Sequence, residues 1–234
     1  MRGFIGAGRT LMVAAAVVGS LYVLGCGGNN NTSVGGGYIG VDTTGGNNTG
    51  GNNTGGNNDT LTYGGQKYRT VVIGGKRWMA ENLNFPTSNG SMCYGSIADN
   101  CTEYGRLYSL ATAQTACPAG WRLPSRREWG DLAIAAGGTG EYGTGGEAGY
   151  KLKSSDGWNQ SGDGDDAFGF SALPGGIYEN TFTSVGYSGF WWTATEDYSR
   201  GGYYYRRMDY NGGFVMENNA GGNLYLSVRC VKNT

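Results

Sequence analysis

Residues 117–129 read Cys117-Pro118-Ala119-Gly120-Trp121-Arg122-Leu123-Pro124-Ser125-Arg126-Arg127-Glu128-Trp129, and this stretch decides the fold. Pro118, Ala119 and Gly120 break whatever precedes them. Ser125 followed three residues later by Glu128 is a capping box. The serine side chain accepts from the first-turn backbone and the glutamate reaches back to the cap N–H. Trp129, Leu132, Ala133 and Ala136 then recur at helical spacing, and Gly137-Gly138 closes the run. A helix is therefore predicted from about Ser125 to Ala136.

Working outward, Tyr68 to Ile73 alternates and is rich in β-branched residues, Gly74-Gly75 follows, and Lys76 to Met79 resumes the pattern. This reads as a β-hairpin with a two-residue turn. Ser109 to Thr115 is alanine-rich and compatible with a second helix. Residues 137–167 are rich in glycine and aspartate and read mostly as loop. Beyond them come short aromatic strands at Phe168–Leu173, Gly189–Thr195, Gly202–Tyr210, Gly213–Glu217 and Leu224–Val231. The expected class is α+β, two helices with small antiparallel sheets.

The chain has 234 residues, 47 of them glycine and 4 proline, which suits tight turns joined to a low-complexity linker. Net charge is −1 and the pI about 5.5, so nothing attracts duplex nucleic acid. Histidine is absent. That excludes Ser-His-Asp and Cys-His catalysis and every histidine-ligated metal site. Carboxylate chemistry and oxygen-ligated calcium stay open.

Arg2 and Arg9 precede an apolar run from Leu11 to Leu24, the length of a signal-peptide core and short for a membrane span. Val23-Leu24-Gly25-Cys26 resembles the bacterial lipobox, in which the cysteine becomes the lipidated first residue. Residues 1–25 are read as a lipoprotein signal and Cys26 as the lipidation site. Gly27, where an aspartate would favour inner-membrane retention, points to the outer membrane. Residues 27–60 repeat Gly-Gly-Asn-Asn-Thr and hold too little apolar surface to offset ordering entropy. They read as a tether of on the order of 30 Å root-mean-square span. Residues 61–234 form the domain, and the membrane is its first expected partner.

Four cysteines remain: Cys93, Cys101, Cys117 and Cys230. An exported compartment favours disulfides, and three connectivities are open. The pattern favoured joins Cys93 to Cys101 locally and Cys117 to Cys230 across the domain. The rival is a four-thiolate zinc site, which the lack of any C-x-x-C pair disfavours.

Six segments occur in order: VVIGGKRWMAENLNF (71–85), EYGRLYSLATA (103–113), CPAGWRLPSRREW (117–129), FGFSALPGG (168–176), GFWWTATE (189–196) and SVRCVK (227–232). Together they resemble the Fibrobacter succinogenes major paralogous domain family. That family is similar to the formylglycine-generating enzyme and C-type lectin-like superfamily. The resemblance implies a C-type lectin-like fold and agrees with a bridge from Cys117 to Cys230. Two departures stand out. No cysteine lies between Cys117 and Cys230, so the copper-binding pair of the formylglycine-generating enzymes is missing. The Glu-Pro-Asn or Gln-Pro-Asp triplet and the Trp-Asn-Asp motif of calcium-dependent sugar-binding lectins are absent too.

Two stretches carry candidate sites. Asp163, Asp165 and Asp166 crowd a glycine loop, and such carboxylates can hold a structural calcium ion, the one cofactor expected; a solvated acidic turn is the plainer reading. Residues 203–210 read YYYRRMDY. In a strand, Tyr203, Tyr205, Arg207 and Asp209 share one face, and Tyr204, Arg206, Met208 and Tyr210 the other. Aromatic and arginine side chains recur at interfaces. Tyr203, Tyr204, Tyr205, Arg206 and Arg207, with Trp192, are the nominated ligand-binding residues. Trp191 and Trp192 point to opposite faces when extended. Glu81, Glu128 and Glu196 have no pairing that suggests acid–base work, so no catalytic residue is assigned. The reading is a non-enzymatic surface lipoprotein that binds polysaccharide or a cell-envelope protein. The alternative is a structural or adhesive protein without a small-molecule site.

Overall fold

The computed structural model describes residues 59–221 and 223–234. The expected signal sequence, Cys26 and the tether up to residue 58 lie outside the described residues. The hairpin at Gly74-Gly75 forms. Gln66–Ile73 pairs antiparallel with Lys76–Met79, with Ile73 opposite Lys76. Thr60–Tyr63 joins one side, and Val231–Lys232 and then Trp121–Arg122 join the other, giving a five-stranded sheet.

A second sheet runs in the order Thr181–Val185, Gly175–Glu179, Tyr225–Ser227, Ser188–Glu196, Tyr203–Asp209 and Met216–Ala220. Its pairings are antiparallel except where Trp191 meets Ser227 in parallel. Leu107–Ser109 and Ser91–Met92 branch from it beside Tyr225–Ser227.

The described residues hold four α-helices rather than the two expected: α1 Ala98–Tyr104, α2 Leu110–Ala113, α3 Arg126–Ala135 and α4 Ala148–Leu152. The capping box of α3 is complete, with Ser125 Oγ accepting from the Glu128 N–H and Glu128 accepting from the Ser125 N–H. Arg122 then fixes the cap through two 2.6 Å bonds to Glu128. Burial alone would raise the Glu128 carboxyl, but Arg122 and Ser125 outweigh it and hold it at about 2.

Three strand expectations are corrected. Phe168–Leu173 makes only one bridge, Ala172 to Lys153, because its carbonyls are taken by side chains. Phe170 and Ser171 accept from Arg229, and Ala172 accepts from Trp158 and Ser154. The strand expected at Gly213–Glu217 begins later, at Met216, because Gly213 O is bound to Gly149 N of α4. The strand expected at Leu224–Val231 splits in two. Between its halves, Val228 O and Cys230 O accept from Leu83 and Met79 N–H groups, so the chain steps from the second sheet to the first.

Ser188–Glu196 is the wall between two cores. Trp191 packs on one side with Trp129, Met208 and Val215. Phe190 and Trp192 pack on the other with Tyr108, Leu226 and Cys230. Trp78, Trp129 and Phe170 form an aromatic box with ring centroids 5.4–6.2 Å apart. Both disulfides form, Cys93 to Cys101 and Cys117 to Cys230.

Candidate functional site

The strand Tyr203–Asp209 does not present its nominated residues together. Trp192 and Arg206 are fully buried and have no surface to offer a ligand, which corrects their place in the expected site. Trp192 donates its indole N–H to Tyr108 O in the core. Arg206 donates to Tyr142 O and Arg126 O and meets Glu217 at 3.0 Å. Burial pulls its guanidinium down to about 10, against the charge of Glu217. Tyr204 is used by the same cluster. The Arg126 guanidinium lies between the Tyr142 and Tyr204 rings at 3.7 and 4.2 Å and makes two bonds to Glu217. Tyr203, Tyr205 and Arg207 share one face of the strand, as expected, and each is half-buried there. Beneath them lie Phe190 and Trp192, each 6.2 Å from the Tyr205 ring. Arg207 lies over Phe190 and bonds Asp209 at 2.7 Å.

Nor does the acidic loop gather its carboxylates. Asp163 accepts from Trp158 N–H, Asp165 from Ala167 N–H, and Asp166 from the N–H and hydroxyl of Ser171. Each holds its own turn. Among the described residues no three carboxylates or thiolates come close enough to share a metal ion.

The surface that does collect aromatic rings is a neighbouring one. Among the described residues seven large hydrophobic side chains are exposed, and three of them, Tyr150, Tyr187 and Phe214, sit on segments that one loop, residues 158–166, and α4 knit together, with 41–50% of each exposed. Asn159 N donates to Gly186 O, next to Tyr187, and Asp165 N donates to Tyr150 O. Tyr187 meets the half-buried Tyr210 edge to face at 5.3 Å. Gly162 passes so close to Tyr210 that a Cβ there would fall 2.5 Å from its carbonyl oxygen. Gly149 likewise leaves no room for a Cβ against Phe214 O, at 2.6 Å. Glycine is required at both points to bring the segments together. A signal for this surface was present in the sequence: Tyr150, Tyr187 and Phe214 each follow a glycine directly, and Tyr210 precedes Asn211-Gly212.

Under the patch lies Lys153, which is 2% exposed. Its ammonium sits 2.5 Å from Gly162 O, 3.2 Å from Asp209 O, 3.2 Å from Gly212 O and 3.4 Å from Tyr210 O. The Trp158 ring faces it at 4.9 Å. Burial pulls its pKa down, and the charges of Asp163 and Asp209 oppose that.

A second aromatic row, Tyr94, Phe182, Tyr178 and Tyr225, runs along the far edge of the second sheet with centroids 4.8–5.6 Å apart. There each ring covers its neighbour and none is fully exposed. A hollow of about 450 Å³ beside Thr60, Thr70, Arg77 and Lys232 has polar walls.

The architecture is that of a disulfide-stapled α+β domain built from small, mostly antiparallel sheets around two cores. The chain belongs to the Fibrobacter succinogenes major domain family, whose sequence model matches residues 71–232. No curated protein and no solved structure matches the chain. Among the described residues, no helix is long and apolar enough to cross a membrane.

Proposed function

We propose that this chain is an outer-membrane lipoprotein, anchored through Cys26, whose C-type lectin-like domain is a non-catalytic module that binds polysaccharide. The observation that carries the reading is the patch of exposed Tyr150, Tyr187 and Phe214 with half-buried Tyr210 beside them, on segments hydrogen-bonded from below by Lys153. Exposed aromatic rings offer flat apolar faces to the C–H faces of sugars, and Tyr hydroxyls at their rims offer hydrogen bonds. The surroundings suit an uncharged chain, because amides and acids such as Asn159, Asp165 and Asn211 border the patch in place of a basic cluster. Of the glutamates considered for acid–base work, Glu81 is engaged by Arg69 and Glu128 by Arg122, and Glu196 lies on the strand Ser188–Glu196 with no second carboxylate paired to it among the described residues. The chain has no histidine to replace them.

The test is retention of the purified protein on insoluble plant and microbial polysaccharides. Phe214→Ala and Tyr187→Ala are each expected to weaken retention about 5- to 10-fold, the size of one lost aromatic contact, while the protein stays folded with a melting temperature lowered by only a few degrees. Absence of retention on every polysaccharide tried would leave a structural or adhesive surface protein as the surviving reading.

A further inference from the structure

We propose that the Lys153 ammonium is a resident cation occupying a backbone-carbonyl site, and that it positions the aromatic patch. The positioning half rests on the polysaccharide reading; the cation half does not. Four carbonyls from two separate segments, residue 162 and residues 209–212, converge on one nitrogen. An ammonium has three donors, so four acceptors within 3.4 Å describe a cage around a charge more than a set of paired hydrogen bonds. Three of the four distances, 3.2 to 3.4 Å, exceed the 2.3–2.6 Å that calcium requires, and no carboxylate oxygen is among the four. Carbonyl rings of this kind suit monovalent cations.

The placement accounts for the acidic loop as well. Gly162 O faces the ammonium while Asp163, Asp165 and Asp166 turn to their own backbone neighbours. The positive charge that organises this loop is therefore supplied by a side chain. Two of the carbonyls belong to Tyr210, itself in the patch, and to Gly212, two residues before Phe214. Lys153 itself ends the helix that carries Tyr150. It acts on the patch only through these segments and is a positioning residue.

The test compares the natural protein with Lys153→Ala and Lys153→Met. Loss of the buried charge is expected to lower the melting temperature of both by about 10 °C. In Lys153→Ala, ammonium or methylammonium chloride should restore at least half of that loss and saturate, whereas sodium chloride at equal ionic strength should not. In Lys153→Met the thioether fills the space and no restoration is expected. Polysaccharide retention by Lys153→Ala should fall and return with ammonium. A Lys153→Ala melting temperature that responds equally to ammonium and sodium would overturn the cation site. Should neither variant fold, amine modification of the natural protein decides: Lys153 must react far more slowly than Lys151, and equal rates would refute its caging. Restored melting without restored retention would overturn the positioning half. A natural protein that binds no polysaccharide would remove the parent reading and the positioning half with it, while the melting comparison still judges the cation site.

Discussion

Replacing Arg229 by methionine is expected to destabilise the protein by about 4 kcal/mol. Arg229 is wholly buried, and no carboxylate is among its hydrogen-bond partners. Its Nε donates to Asn82 Oδ1 at 2.8 Å, its Nη2 to Ser171 O at 2.7 Å, and its Nη1 to Phe170 O. Its plane lies 4.4 Å from the Phe170 ring. Burial pulls the guanidinium down to about 9, and the charges of Glu81 and Asp166 oppose that. Methionine conserves the stem but donates nothing. Asn82 Oδ1 would keep the Trp191 indole N–H, 2.8 Å away, whereas Phe170 O and Ser171 O would lose their side-chain donor. Two orphaned carbonyls at about 2 kcal/mol each give the 4 kcal/mol. Lysine should recover little, because a point charge cannot span acceptors spaced for a planar fork. Urea unfolding followed by tryptophan fluorescence reads the difference, with an unchanged slope confirming comparable native states. An Arg229→Met protein within 1 kcal/mol of the natural one, or an Arg229→Lys protein equal to it, would refute this account of the core.

The two disulfides should differ in weight. They close loops of 113 and 8 residues, worth about 4.8 and 2.5 kcal/mol on chain entropy alone. Paired alanine substitution of Cys117 and Cys230 should therefore lower stability about 2 kcal/mol more than that of Cys93 and Cys101, and the reverse order in urea unfolding would contradict it. Glu128 should impose an acid limb. Its folded pKa of about 2 lies below the unfolded 4.5, so its contribution is full above pH 4.5 and is lost as pH falls toward 2. Arg122 is 42% exposed, which screens the pair, so the effect is on the order of 2 kcal/mol. In Glu128→Gln that limb should flatten between pH 4.5 and 2; a limb of unchanged steepness would assign acid sensitivity to other carboxylates.

Much of the fold was legible because its signals are local. The Ser125–Glu128 box, the Gly74-Gly75 turn and the aromatic run within Ser188–Glu196 each act within a few residues. What escaped is set by distant partners. Phe168–Leu173 has strand composition, yet Arg229, far along the chain, takes its carbonyls. Helix α1 has an unremarkable sequence and a visible stop at Gly105, whose φ is +75°. The hairpin Gly175–Glu179 to Thr181–Val185 turns at Asn180 with positive φ, one residue with little to mark it. The nominated strand was read correctly as two-faced, but sequence could not show that Arg126 and Tyr142 cover one face and Phe190 and Trp192 underlie the other. The aromatic patch is assembled across residues 150, 187, 210 and 214, which distant contacts bring together: the Lys153 ammonium, the 158–166 loop, and direct backbone bonds from Tyr210 N to Tyr187 O and from Gly149 N to Gly213 O.

The most direct measurement is hydroxyl-radical footprinting of the protein with and without a polysaccharide that retains it. Tyr150, Tyr187 and Phe214 should become protected, while Tyr198, 88% exposed on another turn, should stay as reactive as in the free protein. Protection falling instead on Tyr203 and Tyr205, or on the Tyr94 to Tyr225 row, would contradict the assignment.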